Sequence, residues 1–452
     1  MDVIGYFLTQ YAKARGGRNI RCERFSLNES EMKQQANTGA RRERYYGWNI
    51  VAAATVVTLL TVGLRMGIGP FFLPMVQDLQ LSRSLFSTIV AVGMLFYGIG
   101  MPLAGYLVGR WGTRAVMLIG VAVVVSSLIW TINAKTSFTM LMSFGVLLST
   151  GLAFTSPIAL TPIVAKWFTR QRGMALFFLS TGSMAGIAIM TPVFTYSVGA
   201  VGWRMTLIWY AMVFAVIAVP LALWVVRERP PEGTDEAVGD RSSNQRTSKP
   251  APWDGISFMG ALRTRPFWQI CLGLFACGFS MNLLGTHGMP MLMDHGFDPM
   301  VSSFGIGLIG LVAIFSTVVL GRLSDVLPRR NMLSVIYFVR GLGFFALMIV
   351  GTQWELFLTA SIGGVVWAGS IALSSAILAD IYGVRLVGLL YGWAYLIHQI
   401  GATVSSWLGG WGYDTFGTHW VAFGASGLLL VIAALVSYRL PEKESLQARV
   451  FA

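Results

Sequence analysis

Four side chains in this sequence put charge, or the capacity for it, where their neighbours cannot solvate it. Arg65 lies in TVGLRMGIGPFFLP, Arg340 in IYFVRGLGFFA, His398 in YGWAYLIHQIG and His287 in NLLGTHGMP, each within a long apolar run. No Asp or Glu falls in mid-run; Asp78, Asp294, Asp298, Glu355 and Asp414 sit at one set of run ends, Asp325 and Asp380 at the other. A guanidinium presents forked N–H donors that match a carboxylate bidentately, and an imidazole titrates near neutral pH and can carry a proton. Positive groups with no acid at their own depth create a field that favours an anion. The candidate binding residues are therefore Arg65, His398, Tyr391, Tyr395, Asn282 and His287, with His398 the candidate for a coupled proton. Tyr391, Tyr395 and His398 are spaced four and three apart, which places them on one helix face.

Each candidate also has a plainer reading. Arg65 stands about 17 residues into its run, roughly 25 Å along a helix at ~1.5 Å per residue, and an Arg there can instead snorkel to headgroups. Arg340 either meets a ligand or is satisfied by carbonyls of neighbouring helices. His398 and His287 either bind a ligand or tie helices together, and for His287 the structural role fits its place near a run end better. Small polar residues such as Thr155, Ser156, Ser180, Ser183, Ser370 and Ser374 serve close helix packing first.

The elements that must position these groups follow from the composition. The chain has 452 residues, 55% hydrophobic and 12% charged, with 51 Gly, 28 Phe and 15 Trp. Soluble proteins carry about 25% charged residues, so lipid must solvate much of this surface. A bilayer-crossing helix needs about 20 apolar residues. Twelve such runs are present, at 48–75, 84–108, 115–133, 138–164, 173–198, 204–226, 266–293, 301–321, 331–351, 354–380, 386–411 and 416–439. The fold expected is all-α: a polytopic membrane protein with twelve transmembrane helices in two pseudo-symmetric six-helix bundles, at 45–226 and 266–440. A Pro-, Gly-, Ser- and charge-rich linker, 227–265, joins them. Residues 1–44 form a polar tail without the features of a secretory signal, with Met32 a candidate start, and 441–452 a second tail.

Lys and Arg alternate with the runs. Counting from the termini, nine fall in the first tail, nineteen in loops and the tail on that same side, and three (Arg83, Lys135, Arg204) on the other. This bias places both termini in the cytoplasm of a cell, at the plasma or inner membrane. It also accounts for the net charge of +13 without nucleic acid. The three cysteines imply neither disulfide framework nor metal site. No Ser-His-Asp spacing, metal-ligand spacing or nucleotide-binding loop is present, so no catalysis and no cofactor are expected.

The two halves repeat. GYLVGRWGTR (105–114) follows the second run and GRLSDVLPRR (321–330) the eighth; Arg172 opens the fifth and Arg385 the eleventh. In its spans and these loops the chain resembles the major facilitator superfamily over about 45–440. Of that family's signature loop the first half keeps Gly105, Leu107, Arg110, Gly112 and Arg114, with Gly109 in the place of an Asp; the second keeps Gly321, Leu323, Asp325, Arg329 and Arg330. A fifth-span pattern of Trp167, Phe168, Arg170, Arg172, Gly173 and Ala175, then Gly182, Ala185 and Gly186, resembles the monocarboxylate transporter and oxalate–formate antiporter branches. The Asp and Arg pair that animal members carry in the eighth helix is absent. The resemblance implies a monomeric secondary carrier whose signature loops gate the cytoplasmic side and whose two bundles rock around a midplane site. Combined with the basic cavity, it implies a small organic anion, first a monocarboxylate, moved with a proton or by exchange. The competing readings are an efflux carrier for a neutral or drug-like molecule and a non-transporting receptor.

Overall fold

In hydrocarbon every backbone N–H and C=O needs a partner inside the protein, so long apolar runs fold as helices. The computed structural model describes residues 45–168, 172–228, 256–324 and 326–441, apart from the side chains at 172, 173, 384 and 385. The tail at 1–44, the middle of the expected linker and Arg170 and Asp325 lie outside the described residues, as does the side chain of Arg172. Every regular element among the described residues is helical.

Eight helical stretches are long and apolar enough to cross a membrane, and two of them are double length. Arg83–Ile132 holds the second and third spans, and Arg172–Pro220 the fifth and most of the sixth. Each double stretch turns at one glycine, Gly112 (φ 85°, ψ 162°) or Gly202 (φ 80°, ψ 163°), in a backbone region essentially closed to other residues. The ninth span, Arg329–Leu347, and the eleventh, Val384–Phe416, complete the twelve.

Several spans are interrupted. The first runs Gly47–Met66, breaks at Gly67, and resumes as Gly69–Asp78 within a Gly- and Pro-rich stretch. The fourth breaks after Phe154 and restarts at Pro157. Its counterpart in the second bundle, the tenth, runs Gln353–Val365 and restarts at Gly369. The seventh is a single helix, Arg265–Asp294, the eighth is Pro299–Leu323 and the twelfth Trp420–Tyr438. The face on which the first span begins also carries the described ends of the linker and is called the linker face below; the other is the far face.

The signature-loop glycines are not equivalent. A Cβ on Gly112 would lie 2.8 Å from Glu228 Oε1, whereas one on Gly105 would meet nothing within 4 Å among the described residues. The same Glu228 oxygen accepts the backbone N–H of Arg114 at 2.8 Å, tying the loop to the end of the sixth span. Gly112→Ala should therefore cost about 1–3 kcal/mol from strain, and Gly105→Ala, inside a helix, should stabilise slightly. Thermal unfolding in detergent checks both signs.

Candidate functional site

Arg65 ends the first segment of the first span, at the boundary between the bundles. It is 7% exposed. Its Nη2 donates to Asn282 Oδ1 and to Gln399 Oε1, both at 3.2 Å, and lies 3.5 Å from Met94 Sδ. The guanidinium carbon stands 4.2 Å from the ring centre of Tyr97. Arg65, Met94 and Tyr97 come from the first bundle, and Asn282 and Gln399 from the seventh and eleventh spans of the second. The cation thus faces the space between bundles, hydrogen-bonded to the oxygens of two neutral amides with the neutral phenol of Tyr97 beside it. Nε of Arg65 is buried without a hydrogen-bond partner. Nε and an Nη form one edge of the guanidinium, the edge a carboxylate grips with two parallel bonds.

Asn282 is further fixed by donating Nδ2–H to the Gly278 carbonyl at 3.1 Å. The amide nitrogen of Gln399 is buried and has no partner, which leaves a donor free beside the cation. The residue before Gln399, His398, stacks on Tyr395 with ring centres 4.8 Å apart and planes 7° from parallel, and Tyr395 neighbours Tyr391 at 5.9 Å. The three expected on one face do share it. His398 is fully buried with neither ring nitrogen bonded, while Tyr391 and Tyr395 are half-buried.

The remaining candidates lie elsewhere. His287 sits at the far-face closure: Nε2 is 2.9 Å from the Ser406 carbonyl, so that nitrogen carries the proton, and 3.4 Å from Ser87 Oγ. Phe72 of the first bundle packs on its ring at 5.1 Å. Arg340 is wholly inside the second bundle. Its Nη1 donates to Cys277 Sγ at 3.3 Å, and its Nη2 to the carbonyls of Val366, at 3.1 Å, and of Trp367. Of the signature-loop residues, Arg110 and Gly321 are exposed, Arg329 pairs with Asp380 at 2.7 Å, and Arg330 donates to the Leu440 carbonyl at 3.1 Å.

Contacts between bundles run from mid-span to the far face. Gly307 meets the Ala188 carbonyl and Gly310 that of Met184; Gly98 meets Gln399, and Gly410 meets Ser87. Toward the linker face the glycines of the second and eleventh spans are exposed: a Cβ at Gly105, Gly109, Gly388 or Gly392 would meet nothing within 4 Å among the described residues. A cavity of about 20 Å³ beside the cation, lined by Arg65, Tyr97, Met94, Val90, Phe144 and Leu152, has room for about one water. Asn282 and Gln399, which hold Arg65 from the other side, belong to the opposite bundle.

Residues 54–364 and 311–450 match the family model of the Major Facilitator Superfamily. The uncharacterized MFS-type transporter YcxA of Bacillus subtilis is 26% identical over 403 residues, 86% of this chain and 92% of that protein. Human monocarboxylate transporter 11 is 24% identical over 446 residues, 94% of this chain and 89% of its own length. Among solved structures, a bacterial homologue of the human lysosomal transporter Spinster, inward-facing and unoccupied, superposes with a TM-score of 0.65 at 17% identity, over 90% of this chain and 98% of that one. A D-xylose–proton symporter gives 0.65 at 16% identity, over 88% and 99%. At these identities the structural matches speak to fold alone: twelve helices in two bundles.

Proposed function

As the chain belongs to the major facilitator superfamily and is a multi-pass transport protein rather than an enzyme, we propose that it carries a small organic anion, first a monocarboxylate, by alternating access. The observation that carries this is Arg65: a buried cation between the bundles, held by two neutral oxygens, with one N–H unanswered. A carboxylate is the ligand that completes such a group. The similarity to monocarboxylate transporters supports the same class. Asn282, Gln399 and Tyr97 hold the guanidinium, and Tyr391 and Tyr395 line the approach from the linker face. His398, stacked beside them without a hydrogen-bond partner, is the candidate for a proton moved with the anion; anion exchange is the other mode this site permits.

The linker face is cytoplasmic in this reading, at the plasma or inner membrane, since 28 of the 33 basic residues fall on that side against three on the other. The carrier works as a monomer, with the substrate, the bilayer and protons as its partners.

The test is uptake into proteoliposomes with an imposed pH gradient, offering labelled acetate, lactate, pyruvate, oxalate and an aromatic acid. At least one is expected to accumulate. Arg65→Ala should abolish the signal, and Lys135→Ala, on an exposed far-face loop, should leave it unchanged. Uptake that persists in Arg65→Ala would remove the carboxylate clamp from the mechanism.

A further inference from the structure

The far face is closed by opposite charges drawn from the two bundles. Arg83, at the start of the second span, donates Nη1–H to Asp294 Oδ2 at 2.5 Å and Nη2–H to Oδ1 at 3.1 Å. Its guanidinium carbon lies 3.9 Å from the ring centre of Tyr413. The backbone N–H of Ser84 donates to Asp414 Oδ2 at 2.7 Å. Asp294, Tyr413 and Asp414 end the seventh and eleventh spans, so all of these contacts cross the bundle boundary. Asp294 has one more partner, this time from its own bundle: His419 donates Nε2–H to Oδ2 at 2.8 Å. His419 lies between the eleventh and twelfth spans, 5% exposed, whereas the Arg83 and Asp294 side chains are 20% and 22% exposed.

We propose that Asp294 and His419 form a proton-binding site that unlocks the far face: a proton taken up by His419 replaces Arg83 as the cation facing Asp294. Nε2–H already points at the carboxylate, so the proton adds to Nδ1. The resulting imidazolium and Asp294 are an ion pair inside one bundle. Arg83 then shares its carboxylate with a second cation, and its hold across the boundary weakens.

The surroundings set the direction. His419 is faced by Asp294 and His295 from the end of the seventh span, by Arg83 from the second, by Tyr413 from the eleventh, and by Phe423 from the twelfth, with Asp414 beside Tyr413. His295 is engaged with the Met291 carbonyl at 2.7 Å. In the closed state burial holds His419 below the ordinary imidazole range; Asp294 opposes this, and Arg83 and His295 add to it. Opening takes Arg83 away and readmits water, yet leaves Asp294 in place, and both changes favour the imidazolium. The open state therefore binds more protons than the closed state. The closed state loses ground as the pH falls through and below ~6.5, the unperturbed imidazole value. The site is separate from Arg65 and stands whether or not Arg65 binds an anion.

The experiment measures the distance across the far face. Spin labels are placed through Lys135→Cys on the first bundle and Gln353→Cys on the second, in the full chain in lipid nanodiscs. Cys22→Ser removes the one cysteine outside the described residues, and Cys271 and Cys277 are buried. Between pH 8 and pH 5 a longer-distance population should grow at the expense of a shorter one, by up to about tenfold in ratio per pH unit. His419→Gln should remain short throughout. His419→Lys, a permanent cation, and Asp294→Asn, which deprives Arg83 of its carboxylate, should both be long at pH 8. A wild-type distribution unchanged by pH overturns the proposal, as does a wild-type titration in His419→Gln or a short distance in both His419→Lys and Asp294→Asn. Loss of uptake in Arg65→Ala has no bearing on it.

Discussion

Gln399→Glu should stop anion uptake without destabilising the protein. The Gln399 oxygen already accepts from Arg65 at 3.2 Å, while its amide nitrogen is buried and unpartnered. The substitution therefore exchanges an unanswered donor for a second acceptor and loses no hydrogen bond. It also gives the guanidinium a fixed counter-charge. At an effective dielectric near 20, two unit charges ~4 Å apart interact by about 4 kcal/mol. An incoming carboxylate would forfeit that attraction to a resident competitor, and at ~1.4 kcal/mol per decade its affinity should fall about a thousandfold. The expected outcome is uptake at background for every anion in the panel, with a melting temperature no lower than wild type. Burying the new carboxylate carries its own desolvation cost, which the attraction to the already desolvated Arg65 has to offset. Initial uptake rates together with thermal unfolding decide the matter. Wild-type uptake in Gln399→Glu would mean that the guanidinium does not meet the substrate.

The same contacts mark how far one sequence can be read. Twelve apolar runs, a repeat of signature loops and alternating basic residues were sufficient for the architecture, because hydrocarbon leaves the backbone few solutions. The placement of Arg65 between bundles was legible from its cost: a charge that deep needs a polar surrounding. Its partners were less so. Asn282 stood among the candidates, but Gln399, which makes an equivalent bond, was legible only as a neighbour of His398, and Tyr97 and Met94 carried no signal. Contacts between spans one, two, seven and eleven are long-range, and no periodicity within a span encodes them. Equal types also proved unequal in place. His287 reads like His398, a lone imidazole in an apolar run, yet it is wedged between Ser87 and Ser406 at the closed end. His419 lies in a loop, where a histidine needs no explanation, until the fold brings Asp294 and Arg83 to it.

Arg340 supplies the sharpest contrast with Arg65, and the contrast is testable. The helix Gln353–Val365 stops where the tenth span breaks, and a helix end leaves carbonyls without intrahelical donors and a negative end of the dipole. In water those groups would be hydrated; mid-membrane they require a donor. Arg340 provides it, binding the carbonyls of Val366 and Trp367 while its guanidinium carbon stands 4.9 Å from the Trp367 ring centre. Its other arm donates to Cys277 Sγ, which in turn lies 3.2 Å from Ser370 Oγ in the restarted helix. One side chain of the ninth span thereby holds both sides of the break and the seventh span behind it. Arg340→Met keeps much of the volume but strands two carbonyls, at about 1–3 kcal/mol each. A loss of about 3 kcal/mol or more is expected, seen as a markedly lower melting temperature and poor recovery from the membrane. Arg340→Lys, with a point charge in place of a planar fork, should fall between. Arg65→Ala should melt close to wild type, because the amides it releases lie beside a space able to admit water. Should Arg340→Met instead melt like the native protein and lose only its affinity for the anion, the roles of the two arginines would have to be reassigned, with the ligand drawn into the second bundle.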